Sequence, residues 1–283
     1  MAQLFGRSVR LIIGSTLIEG LRAQFKIKKT ATKEPNECEL SIWNLSETSR
    51  AALQAKGTRI IVEAGYISTA SVIFAGDSSI IDHKHEGPDW ISRIQCGDGE
   101  RAFKFATLNQ SFGPGVSVLE VFKKAAGQLV FKGVSIDNAV KQAQTELTGQ
   151  FTQGYVLSGR AFSAAAQLAE SYGLELSIQD GQLQLIRRAS TTQDQAVVLS
   201  ASTGLIGSPE HGTPAAAAPD GRKKPQVLKA KSLLQPGIRA GGRVRIEAES
   251  PGNNGDFKVL TVVHDGDTHG GSWYSEIEAV PVS

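Results

Sequence analysis

Cysteine is nearly absent from this chain: Cys38 and Cys96 are the only two among 283 residues, too few for a disulfide scaffold. Both fall on stretches of alternating polarity and face inward by that alternation, so buried free thiols are the default reading; whether they pair is left open. No apolar run reaches the roughly 20 residues that span a bilayer as a helix. The opening Met1-Ala2-Gln3-Leu4-Phe5-Gly6-Arg7 lacks the apolar core of a secretion signal. The expectation is therefore a chain made and assembled in a cytoplasm, with no membrane anchor. An excess of one charge is missing too. Thirty basic against 28 acidic residues leave a net charge of +2, too weak a bias to imply a nucleic-acid surface by itself. Aromatics make up only 6% of residues, whereas 30 glycines suit a turn-rich β protein.

Catalytic signatures are missing as well. There is no Gly-x-Ser-x-Gly, no phosphate loop, no dinucleotide fingerprint and no His-Glu-x-x-His. His83-x-His85 would place two imidazoles on one strand face, but no third ligand is spaced to join them. His264-Asp265-Gly266-Asp267 could form an acid/base cluster, yet its Gly-Asp pair reads more simply as a hairpin turn. Carboxylates are plentiful, and nothing marks two of them as a glycosidase pair. No catalytic set, metal site or cofactor is expected, and the chain is read as a non-enzyme.

What is present is a repeated strand. Trp90-Ile91-Ser92-Arg93-Ile94-Gln95-Cys96 and Trp273-Tyr274-Ser275-Glu276-Ile277-Glu278-Ala279 share the pattern Trp-x-Ser-x-Ile-x-small. Alternate side chains share a face in a strand, so Trp, Ser, Ile and the small residue line one side of each. The lead-ins match: Phe74 and Phe257 open extended runs that reach His83 and His264, and a Gly-bearing turn follows each. One β-domain carried twice explains this, and so does convergence of two amphipathic hairpins. On either account Trp90, Ile94, Trp273 and Ile277 are expected barrel anchors. Trp43, Trp90 and Trp273 could alternatively serve as sugar-stacking platforms.

The expected fold is mainly β with an α+β middle region and two similar small β-barrel domains, at 1–97, 98–194 and 195–283. In the first, Leu21, Ala23, Phe25 and Ile27 alternate with polar residues, as do Cys38, Leu40 and Ile42. Ser46 is placed to cap a short helix through Ala55. Strands follow near Arg59–Ala64, Ser71–Ala75, Ser78–His83 and Trp90–Cys96. In the middle region, Val118, Phe122, Ala125 and Leu129 recur at helical spacing, as do Phe162, Ala165, Ala169 and Tyr172. Asp180-Gly181 marks a hairpin that sets Ile178 against Leu183 and Leu176 against Leu185. In the last region, Arg243, Arg245, Glu247 and Glu249 alternate with Val244, Ile246 and Ala248 on an edge or wall strand. That charged face meets either a neighbour or a channel. Residues 208–225 read as a long mobile loop. Its Arg222, Lys223 and Lys224 are either a partner-contact arm or solvated charge in an unstructured insertion.

The order of these motifs resembles the baseplate hub proteins of tailed bacteriophages and related contractile injection machines. At the N-terminal end the resemblance rests on Pro35-Asn36, Leu40-Ser41-Ile42-Trp43-Asn44-Leu45-Ser46, Val62-Glu63-Ala64-Gly65-Tyr66, Ile73-Phe74-Ala75-Gly76, Asp89-Trp90-Ile91-Ser92 and Cys96-Gly97-Asp98-Gly99. At the C-terminal end it rests on Gly204-Leu205-Ile206-Gly207, Leu233-Leu234-Gln235-Pro236-Gly237-Ile238, Gly241-Gly242-Arg243-Val244 and His264-Asp265-Gly266-Asp267-Thr268 with Trp273. The resemblance implies a homotrimer with two tube-like domains per chain, a symmetry adaptor between a hexameric tail tube and a trimeric central spike. It also implies neighbouring baseplate proteins as partners, a channel that DNA or a tape-measure protein passes through, and a place in the virion. The alternative is a carbohydrate-binding or peptidoglycan-cleaving tail-associated β-protein. Deleting Gly212 to Lys224 is expected to leave the fold intact, with a thermal unfolding midpoint close to that of the parent; failure to fold would show that the segment is not an insertion.

Overall fold

The computed structural model describes residues 6–53, 57–192, 195–212, 227–249 and 251–282. The chain divides into two compact units. One comprises Met1–Lys29, Glu37–Cys96 and Thr191–Ser283; the other comprises Thr30–Asn36 and Gly97–Ser190.

The N-terminal strands of the first unit follow from period-2 patterning. They are β1 (Arg7–Ile13), β2 (Thr16–Glu19), β3 (Ala23–Thr30), β4 (Asn36–Trp43), β5 (Arg59–Tyr66), β6 (Ser71–Glu86) and β7 (Asp89–Asp98), with helix α1 (Glu47–Ala52) between β4 and β5. Ala23, Phe25 and Ile27 of β3 are buried, and so are Cys38, Leu40 and Ile42 of β4. The antiparallel register sets Phe25 opposite Leu40 and Ile27 opposite Cys38, so both apolar faces meet one core. The Ser46 hydroxyl accepts from the Ser49 N–H at 3.1 Å and caps α1. That helix is shorter than its spacing predicts: it ends at Ala52, and Gln54–Lys56 lie outside the described residues. The two strands expected at Ser71–Ala75 and Ser78–His83 are one, because β6 runs unbroken for 16 residues.

In the second unit, α2 (Glu100–Phe105), β8 (Thr107–Phe112), β9 (Val116–Ser117), α3 (Val118–Val130), α4 (Asp137–Glu146), β10 (Gln150–Phe151), β11 (Tyr155–Arg160), α5 (Ala161–Ser171), β12 (Leu174–Gln179) and β13 (Gln182–Arg187) follow in order. Val121, Phe122, Ala125 and Leu129 of α3 share a core with Phe162, Ala165 and Ala169 of α5. Tyr172 does not continue that face; it lies just past the end of α5 and is exposed. The β12–β13 hairpin has the expected register, Ile178 opposite Leu183 and Leu176 opposite Leu185. Asp180 and Gly181 take the positive φ values of its turn, 55° and 80°. The buried Asp98 carboxylate accepts from the N–H groups of both turn residues, and Asn36 donates to the Ile178 carbonyl at 2.9 Å.

The chain returns to the first unit with β14 (Val197–Ser200), β15 (Leu205–Gly212), β16 (Val227–Leu233), β17 (Arg243–Glu247), β18 (Gly255–Asp267) and β19 (Trp273–Pro281). Ser208–Gly212, expected as loop, are therefore strand, and Gly212 pairs with Val227. Arg222, Lys223 and Lys224 lie outside the described residues. Gly266-Asp267, expected as a turn, close β18 instead, and the turn lies beyond them.

One 13-stranded sheet holds this unit. Within it, β3-β4-β7-β6-β5-β1 on one side and β15-β16-β19-β18-β17-β14 on the other have the same order along the chain and across the sheet. They differ at the last step, where β1 joins β5 antiparallel and β14 joins β17 parallel. The two modules meet where β18 pairs with β3. Thr268, just past the end of β18, donates its N–H to the carbonyl of Ala23 at the start of β3 at 3.0 Å, so these strands run in opposite directions. Ile94 lies in the core of the first module and Ile277 in that of the second.

The two tryptophans part company. Trp273 is 1% exposed and packs into the first module's core, whereas Trp90 is 38% exposed. The expectation that Trp90 anchors a core is thus corrected: its ring lies at the surface, with the Arg50 guanidinium 4.4 Å from its centroid and His85 edge-on. Trp273→Ala is expected to cost about 3–5 kcal/mol and Trp90→Ala about 1 kcal/mol or less. Chemical denaturation midpoints of the two variants would show the difference.

Candidate functional site

The matched strands are tied by matched polar contacts. His83 Nδ1 and Ser92 Oγ are 2.8 Å apart, and His264 Nδ1 and Ser275 Oγ are also 2.8 Å apart. Ser92 and Ser275 are both fully buried. The Asn44 N–H donates to the Trp90 carbonyl at 2.7 Å as the Leu234 N–H does to that of Trp273 at 3.0 Å. Trp43 N–H donates to the Arg22 carbonyl at 3.0 Å, and Leu233 N–H to that of Gly204 at 2.8 Å. These pairs set a residue-by-residue correspondence between modules: His83 with His264, Trp43 with Leu233, Arg22 with Gly204, and hence Ala23 with Leu205. The pairings Ala23 with Ile42 and Leu205 with Ser232 agree with it.

The β3–β18 junction gathers aromatic rings, a glycine and an ion pair. The Phe25 and Trp273 rings meet edge to face at 5.7 Å, and Tyr66 meets Trp273 at 6.5 Å. Gly266 makes the close approach possible: a Cβ there would stand 2.3 Å from the Phe25 ring. The Arg7 guanidinium lies 5.2 Å from the Trp273 ring centroid and donates to the Asp267 carbonyl at 2.7 Å. Arg22 pairs with the Asp267 carboxylate at 3.1 Å. Burial pushes that carboxyl up, but the backbone N–H groups of His269 and Gly270 and the charge of Arg22 outweigh it and hold Asp267 below the usual carboxylate range.

Both histidines are shifted toward the uncharged form. Burial, with the Lys29 charge adding to it, drives His264 down to about 3, opposed by a backbone hydrogen bond with Ile238. Burial also lowers His83, with Arg50 contributing in the same direction. Cys38 and Cys96 are buried free thiols; contact with Cys96, burial and nearby charge push the Cys38 thiol well up, so both read as core residues. Among the described residues no cluster of three or more His, Cys, Asp or Glu is placed to hold a metal.

Of the edge and wall positions expected for the charged strand, the edge is excluded. β17 is not an edge, because β14 flanks it on one side and β18 on the other. Val244 and Ile246 are buried beneath it. Arg245 spans to Asp256 at 3.0 Å, and Arg243 contacts the same carboxylate. Hydrogen bonds from Arg245 and Arg243 hold the Asp256 carboxyl far below its usual range. Glu247 and Glu249 are exposed. The expected charged face therefore includes an ion-paired patch across β17 and β18. The convergence of Arg7 and Arg22 on Asp267 escaped sequence reading, because nothing in their spacing shows that β3 and β18 become neighbours.

A family model described as "Baseplate hub gp41" matches residues 8–279. The chain belongs to this family of baseplate hubs. Solved structures of like fold agree in kind. A tail protein from Neisseria meningitidis MC58 is 12% identical, with a TM-score of 0.65, covering 97% of this chain and 96% of that one. The 43 kDa tail protein of prophage MuSo2 from Shewanella oneidensis is 11% identical, with a TM-score of 0.66 and coverage of 98% and 97%. The E. coli c3393 protein, a type VI secretion component described as similar to T4 tail proteins gp27 and gp5, is 9% identical, with a TM-score of 0.66 and coverage of 96% and 77%. No curated protein matches the sequence. This hub chain is a structural protein of the phage tail, with its place in the virion baseplate.

The buried histidine makes hub stability depend on pH. Its folded pKa lies below its ordinary 6.5, so the unfolded chain takes up the proton first. The stabilisation is complete above about 6.5 and is lost as pH falls toward 3, an effect on the order of 3 kcal/mol at pH 4 for this group alone. Unfolding free energies measured from pH 7 to pH 4 should fall more steeply for the parent than for His264→Gln.

Proposed function

We propose that this hub is a homotrimer that joins the hexameric tail tube to the trimeric central spike and encloses the channel between them. The observation that carries the reading is the doubled module: one chain presents two sheets of like strand order with corresponding His–Ser pairs and corresponding carbonyl contacts at Trp90 and Trp273. Three such chains around an axis present six similar units to a sixfold tube while keeping a threefold for the spike. A single-module chain offers only one of these symmetries.

The channel reading makes a modest electrostatic demand. A wall that passes a polyanion must not bind it tightly, and a net charge of +2 over 283 residues is compatible with that. Joined to tube protein at one face and spike protein at the other, the hub has neighbouring baseplate proteins around its rim and DNA or tape-measure protein passing through transiently. Assembly takes place in the host cytoplasm. Wall digestion, where the particle needs it, falls to another subunit.

Native mass spectrometry of the hub mixed with its tube and spike proteins is expected to give complexes containing three hub chains. A hub that stays a single chain in both mixtures would overturn the reading. The purified hub is expected to release no soluble fragments from peptidoglycan, and release abolished by a single carboxylate substitution would revive the enzymatic alternative.

A further inference from the structure

The chain has two cysteines, Cys38 and Cys96, and the fold makes them cross-strand neighbours. β4 and β7 lie side by side in the sheet, and contacts at both ends show that they run antiparallel in one unbroken register. At one end the Asn44 N–H donates to the Trp90 carbonyl at 2.7 Å. At the other, the Asn36 side-chain amide donates to the Asp98 carboxylate at 3.2 Å. Cys38 stands six residues before Asn44, and Cys96 six residues after Trp90, so the two are directly opposite. The second module repeats the pairing. By the correspondence of Trp43 with Leu233 and of Trp90 with Trp273, Cys38 matches Leu228 and Cys96 matches Ala279, and Leu228 is paired with Ala279 in the β16–β19 ladder.

Both side chains enter the same core, and the two thiols are in contact. Opposite residues that share backbone bonds in an antiparallel pair have Cα atoms about 5.5 Å apart, inside the range of roughly 4.4–6.8 Å that a disulfide spans. The site does not require thiols in order to pack, because the second module fills it with a leucine and an alanine. We infer that Cys38 and Cys96 are an oxidation site, closing to an intrachain disulfide that locks β4 to β7 once the folded hub leaves reducing surroundings. A reducing cytosol keeps such thiols free. The oxidant is a peroxide, small enough to reach a core position. Cys96, the less covered of the two at 4% against 1% exposed, attacks one peroxide oxygen as its thiolate. The O–O bond breaks, and hydroxide leaves and takes the thiol proton as water. The Cys38 thiolate then attacks the sulfur of the resulting Cys96 sulfenic acid. The S–S bond forms, the S–O bond breaks, and a second water carries off the Cys38 proton. Two thiols thus lose two electrons, and one hydrogen peroxide is reduced to two waters.

The bond closes a loop that carries α1, β5 and β6. It removes freedom from the unfolded chain and leaves the folded sheet as it is. Contact with Cys96 and burial hold Cys38 in the thiol form, so closure is slow near neutral pH and quickens as pH rises. The inference rests on the geometry of a single chain and stands apart from the trimer reading.

The test treats the folded, full-length hub with hydrogen peroxide at pH about 8.5, near the ordinary thiol pKa. Thiols counted after denaturation are expected to fall from two to none, and digestion without reductant is expected to yield the Cys38 and Cys96 peptides joined. The melting temperature is expected to rise by about 5 °C or more and to return to its starting value with dithiothreitol. Cys38→Ala and Cys96→Ala are each expected to melt at the same temperature with and without peroxide, whatever either substitution itself costs. Both thiols still free in the folded hub after prolonged exposure would overturn the inference. So would disulfides that join separate chains, or oxidation of either cysteine to sulfinic acid in place of the bond. A Cys38–Cys96 bond that leaves the melting temperature unchanged or lowers it would overturn the lock. Because tube and spike proteins take no part in this experiment, its failure leaves the trimer reading untouched.

Discussion

The pairing of β18 with β3 is the constraint on which the first unit depends. Through it one sheet takes in strands from both ends of the chain, separated in sequence by an entire second unit. A backbone ladder alone would fix direction and spacing but little else. Side chains add the specificity: Trp273 from the C-terminal module buries its ring against Phe25 and Tyr66 of the N-terminal one, and Gly266 removes the one Cβ that would hold the strands apart. Arg7 and Arg22 then converge on Asp267 from the other module. Aromatic burial supplies most of the free energy here. The partly exposed ion pair contributes less, because water screens it.

The two His–Ser contacts serve each module in a different environment. A buried imidazole next to a hydroxyl has a hydrogen-bond partner without carrying charge into the core, which avoids the larger cost of burying a cation. His264 is buried and His83 is not fully so, and this difference mirrors that between Trp273 and Trp90. In each case the copy closer to the internal junction is covered. The module repeats its bonding while its burial varies with its neighbours, as expected of one design used at two kinds of boundary.

On the proposed reading of a trimer enclosing a channel, this arrangement reconciles two demands. A shell around a passage has to be continuous, and its sheet edges have to be matched to specific neighbours so that subunits do not aggregate at random. Joining the modules covalently removes one interface from the assembly problem. The second unit has a core of its own, built from α3, α5 and the β12–β13 hairpin.

Much of this was legible in the order of residues alone. The alternation in β3, β4, β7 and β19, the Ser46 cap, the Asp180-Gly181 turn with its register, and the doubled Trp-x-Ser-x-Ile strand are local signals, set by side-chain period and backbone conformation within a few residues. The resemblance to baseplate hubs came from the order of such signals. Other features were not legible, because they depend on which strands become neighbours. Nothing local distinguishes Trp90 from Trp273, yet β3 covers one side of the second module and no described strand covers the corresponding part of the first. Nothing in His264-Asp265-Gly266-Asp267 says strand rather than turn until Phe25 arrives to occupy the space above Gly266. Periodicity determined the faces of the strands; only the tertiary structure decided which edges meet, because strand pairing joins residues that sequence separation leaves unrelated.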